Sequence, residues 1–221
     1  MKKALLAICA SFALLFAACD ESDWEDLISQ IVGSANFAVS NSNGTPYDGV
    51  DSVNFSSCVT NVLAERQYYG TIVLGANIDL DKANELRYPY MGMQLSDTVA
   101  RTYTLDTLSF DIVKLFSTTD MLTKANNKNV IIMAQSDTSW FVSSGGTVTV
   151  TEFPAYGKAL HATVSNAKLY YITQSKIEEV RNMGAVELMT TTVDQCCKSV
   201  TINGNITSRR MDIQNLLGSI D

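Results

Sequence analysis

A two-residue hydrophobic period dominates the chain from residue 50 onward and constrains its fold more than any other feature. Apolar and polar residues alternate without a break over 160–165, and threonine alternates with valine over 147–151. Such alternation places apolar side chains on one face of a strand and polar side chains on the other. The chain is therefore expected to form antiparallel strands that bury one face and expose the other.

Turn-forming residues separate these segments at short intervals. Examples are Gly145-Gly146, Ser165-Asn166 and Asn203-Gly204, which are pairs of residue types favoured in tight turns. Several short strands at this spacing are typical of a sandwich or barrel. We therefore predict a mainly β fold, an antiparallel β-sandwich, with a β-barrel as the alternative. Short peripheral helices are expected at three places, which are 120–125, 175–183 and 212–220.

The composition of the chain supports a folded domain and argues against nucleic acid as a partner. The chain has 221 residues, of which 46% are hydrophobic, so it can bury a substantial core. Its formal net charge is −7, and it becomes −9 when Lys2 and Lys3 are removed with residues 1–18. An acidic protein repels the phosphates of nucleic acid and of anionic lipid. We expect no nucleic-acid partner, and membrane attachment would need another cause.

The first eighteen residues have the three-part layout of a secretory signal. A pair of lysines precedes an uncharged apolar run over 4–16, and two alanines stand directly before Cys19. Even with those alanines, the apolar stretch is shorter than the roughly 20 residues that a membrane-spanning helix needs. Cleavage before Cys19, which would leave 203 residues, is therefore favoured over a transmembrane helix.

The small residues followed by cysteine resemble the lipobox of bacterial lipoproteins. This resemblance implies that the Cys19 sulfur receives a diacylglycerol and that acyl chains anchor the mature protein to a membrane. Residues 20–26, DESDWED, carry five carboxylates and resemble the signal that sends lipoproteins of the Bacteroidota to the cell surface. Helical spacing over 22–31, with a capping box of Ser22 and Glu25, explains part of the same pattern. Both interpretations can hold.

Further short motifs resemble features of proteins from the Bacteroidota. Three tripeptides resemble its O-glycosylation sequence, in which Asp precedes Ser or Thr and an apolar residue follows, and the implied acceptors are Ser52, Thr98 and Thr107. A threonine-rich β protein also produces such tripeptides easily. Segment 95–97 leading to 102–105, and segments 146–151 and 159–171, are similar to hairpins of uncharacterised β-sandwich lipoproteins from the Bacteroidota, which implies a fold and a location but no activity.

The three cysteines after Cys19 are expected to have a role in folding. In an oxidising compartment, a Cys58–Cys196 bridge would close a loop of about 140 residues and contribute roughly 4–5 kcal/mol. The alternative is free thiols, with Cys196 a small core residue on a strand that continues to Ile202. Cys196 and its neighbour Cys197 are not expected to bond to each other, because a bridge between adjacent residues strains the backbone.

No residue pattern identifies a catalytic, metal or cofactor site. The single histidine, His161, falls on the polar face of a strand and is expected to be an ordinary exposed side chain. The cysteines lack zinc-ligand spacing, and the acidic loop 79–85 departs from the EF-hand pattern. Aromatic pairs such as 140–141 and 170–171 could stack on sugar rings if exposed, but core packing is the favoured interpretation.

These observations divide the chain into three parts. Residues 1–18 are predicted to be a lipoprotein signal peptide, 19–49 an acidic lipidated tether with a short helix, and 50–221 the β-sandwich domain; the stretch 33–49 is divided between tether and first strand. We expect a lipid-anchored outer-membrane protein exposed at the cell surface, a non-enzymatic binding or structural component for a glycan or a partner protein. The alternative is a cell-surface glycan hydrolase whose carboxylates the sequence does not identify.

Overall fold

The structure is a computed structural model. The residues it describes are 33–55, 57–62, 70–75, 89–110, 113, 129–136, 138–155 and 157–210. For 57–62, 70–75 and 90 it describes the backbone alone. The predicted helices over 22–31, 120–125 and 212–220 lie outside the described residues.

Strands make up most of this part of the chain. The strands, in chain order, are β1 (Ser34–Ser40), β2 (Ser52–Phe55), β3 (Ser57–Val62), β4 (Gly70–Gly75), β5 (Tyr90–Leu95), β6 (Arg101–Thr104), β7 (Val130–Ser136), β8 (Ser139–Ser143), β9 (Thr147–Glu152), β10 (Ala159–Thr173) and β11 (Ser199–Arg210). Three helices with described bounds lie between the last two strands, which are α1 (Gln174–Asn182), α2 (Ala185–Thr190) and α3 (Val193–Cys196). β1 lies within the 33–49 stretch that the sequence divides between tether and first strand.

Hydrogen bonds connect the strands in the order β2-β1-β11-β3-β4-β5-β7-β8-β10-β9-β6, with a further pairing between β10 and β11. The pairs are antiparallel except β3 with β11, which is parallel over Arg209 and Arg210. The predicted mainly β, antiparallel fold is confirmed, and the sheet does not close into a barrel.

The long strands β10 and β11 belong to both layers of the sandwich. β10 pairs with β9 over 161–165 and with β8 over 169–173. In the same way β11 pairs with β1 over 201–207 and with β3 over 209–210. Each long strand therefore passes from one set of neighbours to another along its length, and the sheet folds over itself.

A β-bulge lies where the two long strands bend. The register between β10 and β11 shifts between Val164 and Ala167, and Asn166 has φ of 50°. The backbone N–H of Asn166 donates to Oδ1 of Asn203 over 2.7 Å. The turns predicted at Ser165-Asn166 and Asn203-Gly204 are therefore wrong, because these small polar residues form a bulge inside continuous strands.

The main core lies between the two layers. It joins Phe37 and Phe55 of one layer to Met93, Met133 and Phe141 of the other. All five side chains are buried. Alternating residues of strands on both sides therefore interdigitate as they do in a sandwich.

A second, smaller core covers the outer face of β7, β8 and the end of β10. Helix α1 packs there through Ile177 and Val180, which are three residues apart and share one face of the helix. The helix predicted over 175–183 is confirmed, but its N-cap is Thr173, whose side chain accepts the N–H of Lys176 over 3.2 Å. In the described part of the chain, no helix is both long and apolar enough to cross a membrane.

Candidate functional site

The predicted glycosylation acceptors lie beside the two ends of the strand order. Ser52 begins β2, whereas Thr98 and Thr107 lie shortly before and after β6. Ser52 and Thr107 are exposed and Thr98 is half-buried. Their modification stays a prediction, as does lipidation of Cys19, which lies outside the described residues.

Asp97, which precedes one of these acceptors, is held in a compact network before β6. Its Oδ1 accepts the backbone N–H of Val99 over 2.9 Å, and its carboxylate also binds Arg101 and the hydroxyl of Tyr103. Burial alone would raise the pKa of Asp97, but the hydrogen bonds from Tyr103 and Val99 and the charge of Arg101 outweigh it and lower that pKa. Burial, and then the hydrogen bond to Asp97, raises the pKa of Tyr103 to about 12.

We expect the contribution of Asp97 to the free energy of unfolding to depend on pH. Because its folded pKa lies below the ordinary 3.8, this stabilisation is complete above the unfolded pKa and is lost as pH falls through the folded pKa. At pH 7 the Asp97→Asn variant should be less stable by about 1–2 kcal/mol. Thermal unfolding should show that the difference in stability between wild type and Asp97→Asn becomes smaller from about pH 4 downward.

The exposed residue Asp51 supplies the matched control, since it also precedes a predicted acceptor. Asp51→Asn should change the free energy of unfolding by less than about 0.5 kcal/mol at pH 7. If the difference in stability between wild type and Asp97→Asn stayed constant down to pH 2, that result would contradict an electrostatic origin of the stabilisation by Asp97.

The three helices follow the end of β10 and precede β11, and we call this segment the helical pole (residues 173–198). A partly exposed cluster connects α3 to β10 there. Asp194 binds the Lys168 ammonium and accepts the Tyr170 hydroxyl over 2.7 Å, and the Lys168 Nζ lies 4.9 Å from the centroid of the Tyr170 ring. The hydrogen bond between Lys168 and Asp194 lowers the pKa of the aspartate and raises the pKa of the lysine. Both groups stay ionised at neutral pH, so their ion pair helps to hold α3 against β10.

Two adjacent thiols follow this cluster at the helical pole. The Sγ atoms of Cys196 and Cys197 are 3.0 Å apart. Cys197 is 6% exposed and packs with α1 in the second core, whereas Cys196 is half-buried. Burial is the main cause that raises the pKa of Cys197.

The expectation that Cys196 lies on a strand continuing to Ile202 is wrong. Cys196 ends α3, and β11 begins only at Ser199. A capping box of Thr192 and Gln195 starts the helical turn, with the Thr192 N–H donating to Oε1 of Gln195 over 2.7 Å. This box is readable in the sequence and was missed. The backbone of Cys58 lies in β3, but its side chain is not described, so the Cys58–Cys196 bridge stays a prediction.

Helix α2 exposes apolar side chains at the helical pole. Val186 is 75% exposed and Met189 is 87% exposed, and α2 contains no buried residue. The two residues are three positions apart and therefore share one face of the helix. This helix was also not predicted.

The described aromatic pairs fill the cores. Trp140, Phe141 and Tyr170 are buried, and Tyr171 packs half-buried against the main core. His161 is exposed, with its Nδ1 3.3 Å from the Thr207 hydroxyl, as the sequence indicates. Within the described ranges, no group of three or more histidine, cysteine or acidic side chains could hold a metal ion. The acidic loop 79–85 lies outside those ranges.

The helical pole therefore carries two exposed apolar side chains and two adjacent thiols. The carboxylates Asp97 and Asp194 have lowered pKa values, the opposite of what a general acid needs. Comparisons of the chain with protein-family models, with curated proteins and with solved structures found no match.

Proposed function

We propose that this protein is a lipid-anchored outer-membrane protein, exposed at the cell surface, that presents the helical pole of its β-sandwich to a partner protein. The observation that carries this proposal is the register of β1 against β11. It separates the end of the domain where the N-terminal segment enters from the end that carries the helices.

The register defines two opposite poles. Ser34 begins β1 opposite Thr207, near the end of β11, whereas the helical pole joins β11 at Ser199. With a rise of about 3.3 Å per residue, the eight steps from Ser199 to Thr207 span about 26 Å. A segment that enters at Ser34 therefore attaches the domain by the pole opposite the helices, which we call the tether pole (Ser34, Lys158 and Thr207).

Chain length keeps the domain near its anchor. The fifteen steps from Cys19 to Ser34 can reach at most about 50 Å when fully extended. A domain held through its tether pole at that distance presents its helical pole away from the membrane.

The exposed side chains favour a protein partner over a glycan. Val186 and Met189 offer aliphatic and thioether surface, which suits contact with another protein. Sugar recognition by stacking would need exposed aromatic rings, and the described rings Trp140, Phe141 and Tyr170 are buried.

Fractionation of the native host tests the anchor. Wild-type protein should sediment with the outer membrane and should be digested by protease added to intact cells, whereas Cys19→Ala should lose membrane attachment because it has no acylated sulfur. A variant with the five carboxylates of 20–26 replaced by their amides should stay in the membrane but resist the protease. Membrane retention of Cys19→Ala would contradict the anchor.

Site-specific photo-crosslinking tests the presented surface. A photoreactive residue at position 189 should give a discrete adduct with another outer-membrane protein. The same residue at exposed position 158, at the tether pole, is the matched control and should give none. Equal adducts at both positions, or none at 189, would contradict the proposal.

A further inference from the structure

The two sulfurs at the end of α3 are close enough for a small side-chain movement to join them. Cys196 Sγ and Cys197 Sγ are 3.0 Å apart, and a disulfide bond is about 2.05 Å long. An approach of about 1 Å would therefore complete a bond between them.

The two thiols differ in access, which sets the order of attack. Cys196 is half-buried at the end of α3, so a reagent in solution can reach its sulfur. Cys197 is 6% exposed and packs against Ile177 and Val180. Cys196 is therefore the attacking thiol, and Cys197 is placed to react only with its neighbour.

Burial raises the pKa of Cys197, and the charge of Lys176 acts in the opposite direction. The ammonium of Lys176 on α1 interacts electrostatically with both sulfurs. Its own partner is Glu179, with the Lys176 Nζ 2.6 Å from Oε2, and this carboxylate opposes the effect at Cys197. Thiolates, rather than thiols, carry out disulfide exchange.

We propose that Cys196 and Cys197 are a redox modification site, closed into a disulfide with each other by a disulfide-bearing oxidant. The Cys196 thiolate attacks one sulfur of the oxidant, whose S–S bond breaks and releases one thiolate. Cys197, after losing its proton, attacks the Cys196 sulfur of this mixed disulfide and releases the second thiolate. Two electrons pass from the cysteine pair to the oxidant, and the two protons end on the released thiols.

The bridge is readily reversed. Adjacent Cα atoms lie about 3.8 Å apart, less than the roughly 4.4–6.8 Å that ordinary disulfides span. Strained disulfides are more easily reduced, and such bonds are labile rather than structural. The strain that disfavours a bond between neighbouring cysteines therefore also makes the bond reversible.

Peptide mapping of the purified protein tests the site. Protein equilibrated in glutathione buffers of graded redox ratio is quenched with acid, alkylated and digested with trypsin. Cleavage after Arg181 and Lys198 places both thiols on the single peptide 182–198. On oxidation we expect this peptide to carry neither alkyl group and to have two hydrogen atoms fewer than its dithiol form, and on reduction to carry both alkyl groups again.

Two variants separate the pair from its competitors. Cys58→Ser should leave this change intact, and Cys197→Ser should leave Cys196 as a mixed disulfide with glutathione. A cross-link between 182–198 and the peptide of Cys58 would overturn the proposal and support the long-range bridge. Two alkylated thiols at every redox ratio would also overturn it. Wild-type protein reports both outcomes even if a variant fails to fold, and no outcome depends on the membrane anchor.

Discussion

The Gly204→Ala variant is expected to lose at least about 4 kcal/mol of folding free energy, an exceptionally large effect for a single methyl group. A Cβ at this position would lie 2.0 Å from the backbone oxygen of Asn36 and 2.8 Å from the Cα of Phe37. Both atoms belong to the backbone of β1, so no side chain can rotate out of the way. β1 would have to move away from β11 along the pairing that joins Ser34–Ser40 to the sheet.

Thermal and urea unfolding measure this loss. For a chain of this size, about 4 kcal/mol corresponds to a fall of roughly 8–16 °C in the melting temperature. Hydrogen exchange should also show reduced protection of the β1 amides, because β1 would move away from its hydrogen-bonding partners in β11.

Gly184→Ala is the matched control. A Cβ at Gly184 meets nothing within 4 Å, and this residue is the N-cap of α2. The substitution should cost at most about 1 kcal/mol. Equal losses for the two variants would show that β1 does not approach β11 as closely as described.

The Phe141→Ala variant is expected to lose about 3–5 kcal/mol. Phe141 is fully buried in β8, and its ring centroid lies 5.1 Å from that of Tyr47 and 5.0 Å from that of Tyr171. Tyr47 follows β1, so this ring joins the two layers of the sandwich. Its removal leaves a cavity that the strands on either side of β8 cannot close.

Urea unfolding of two further variants separates the cavity from other causes. Phe141→Leu retains most of the volume and should cost less than about 1.5 kcal/mol. Val99→Ala removes an apolar group that is 58% exposed and should cost less than about 0.5 kcal/mol. A loss for Phe141→Ala no larger than that for Val99→Ala would contradict the described core.

Sequence periodicity predicted the sandwich because half-buried strands depend on local alternation. Local sequence patterns do not separate the two structural roles that glycine has in this protein, one in a turn and one at a close contact between strands. Gly145 has φ of 84°, a Cβ there would meet nothing within 4 Å, and the residue lies in the predicted turn between β8 and β9. Gly204 stands after an asparagine in a similar context, but it is required by the approach of β1, which is more than 160 residues away. Sequence composition cannot distinguish a turn from a close strand contact.

The helical pole was predictable only in part. Helix α1 has a clear apolar stripe, and α3 has a readable capping box. The fastening of Asp194 to Lys168 joins residues separated by 26 positions, and no local pattern indicates that pairing. The closeness of the two sulfurs also depends on α3 ending at Cys196, because a strand at this point would have placed the neighbouring side chains on opposite faces.

The strand order has a consequence for how copies of this protein behave when crowded together. β2 and β6, at the two ends of the order, contain four residues each. A strand this short offers few backbone groups to a strand from a neighbouring molecule, so intermolecular sheet extension gains little stability. Molecules held at high local density on a two-dimensional surface can therefore stay separate, with their helices free for other contacts.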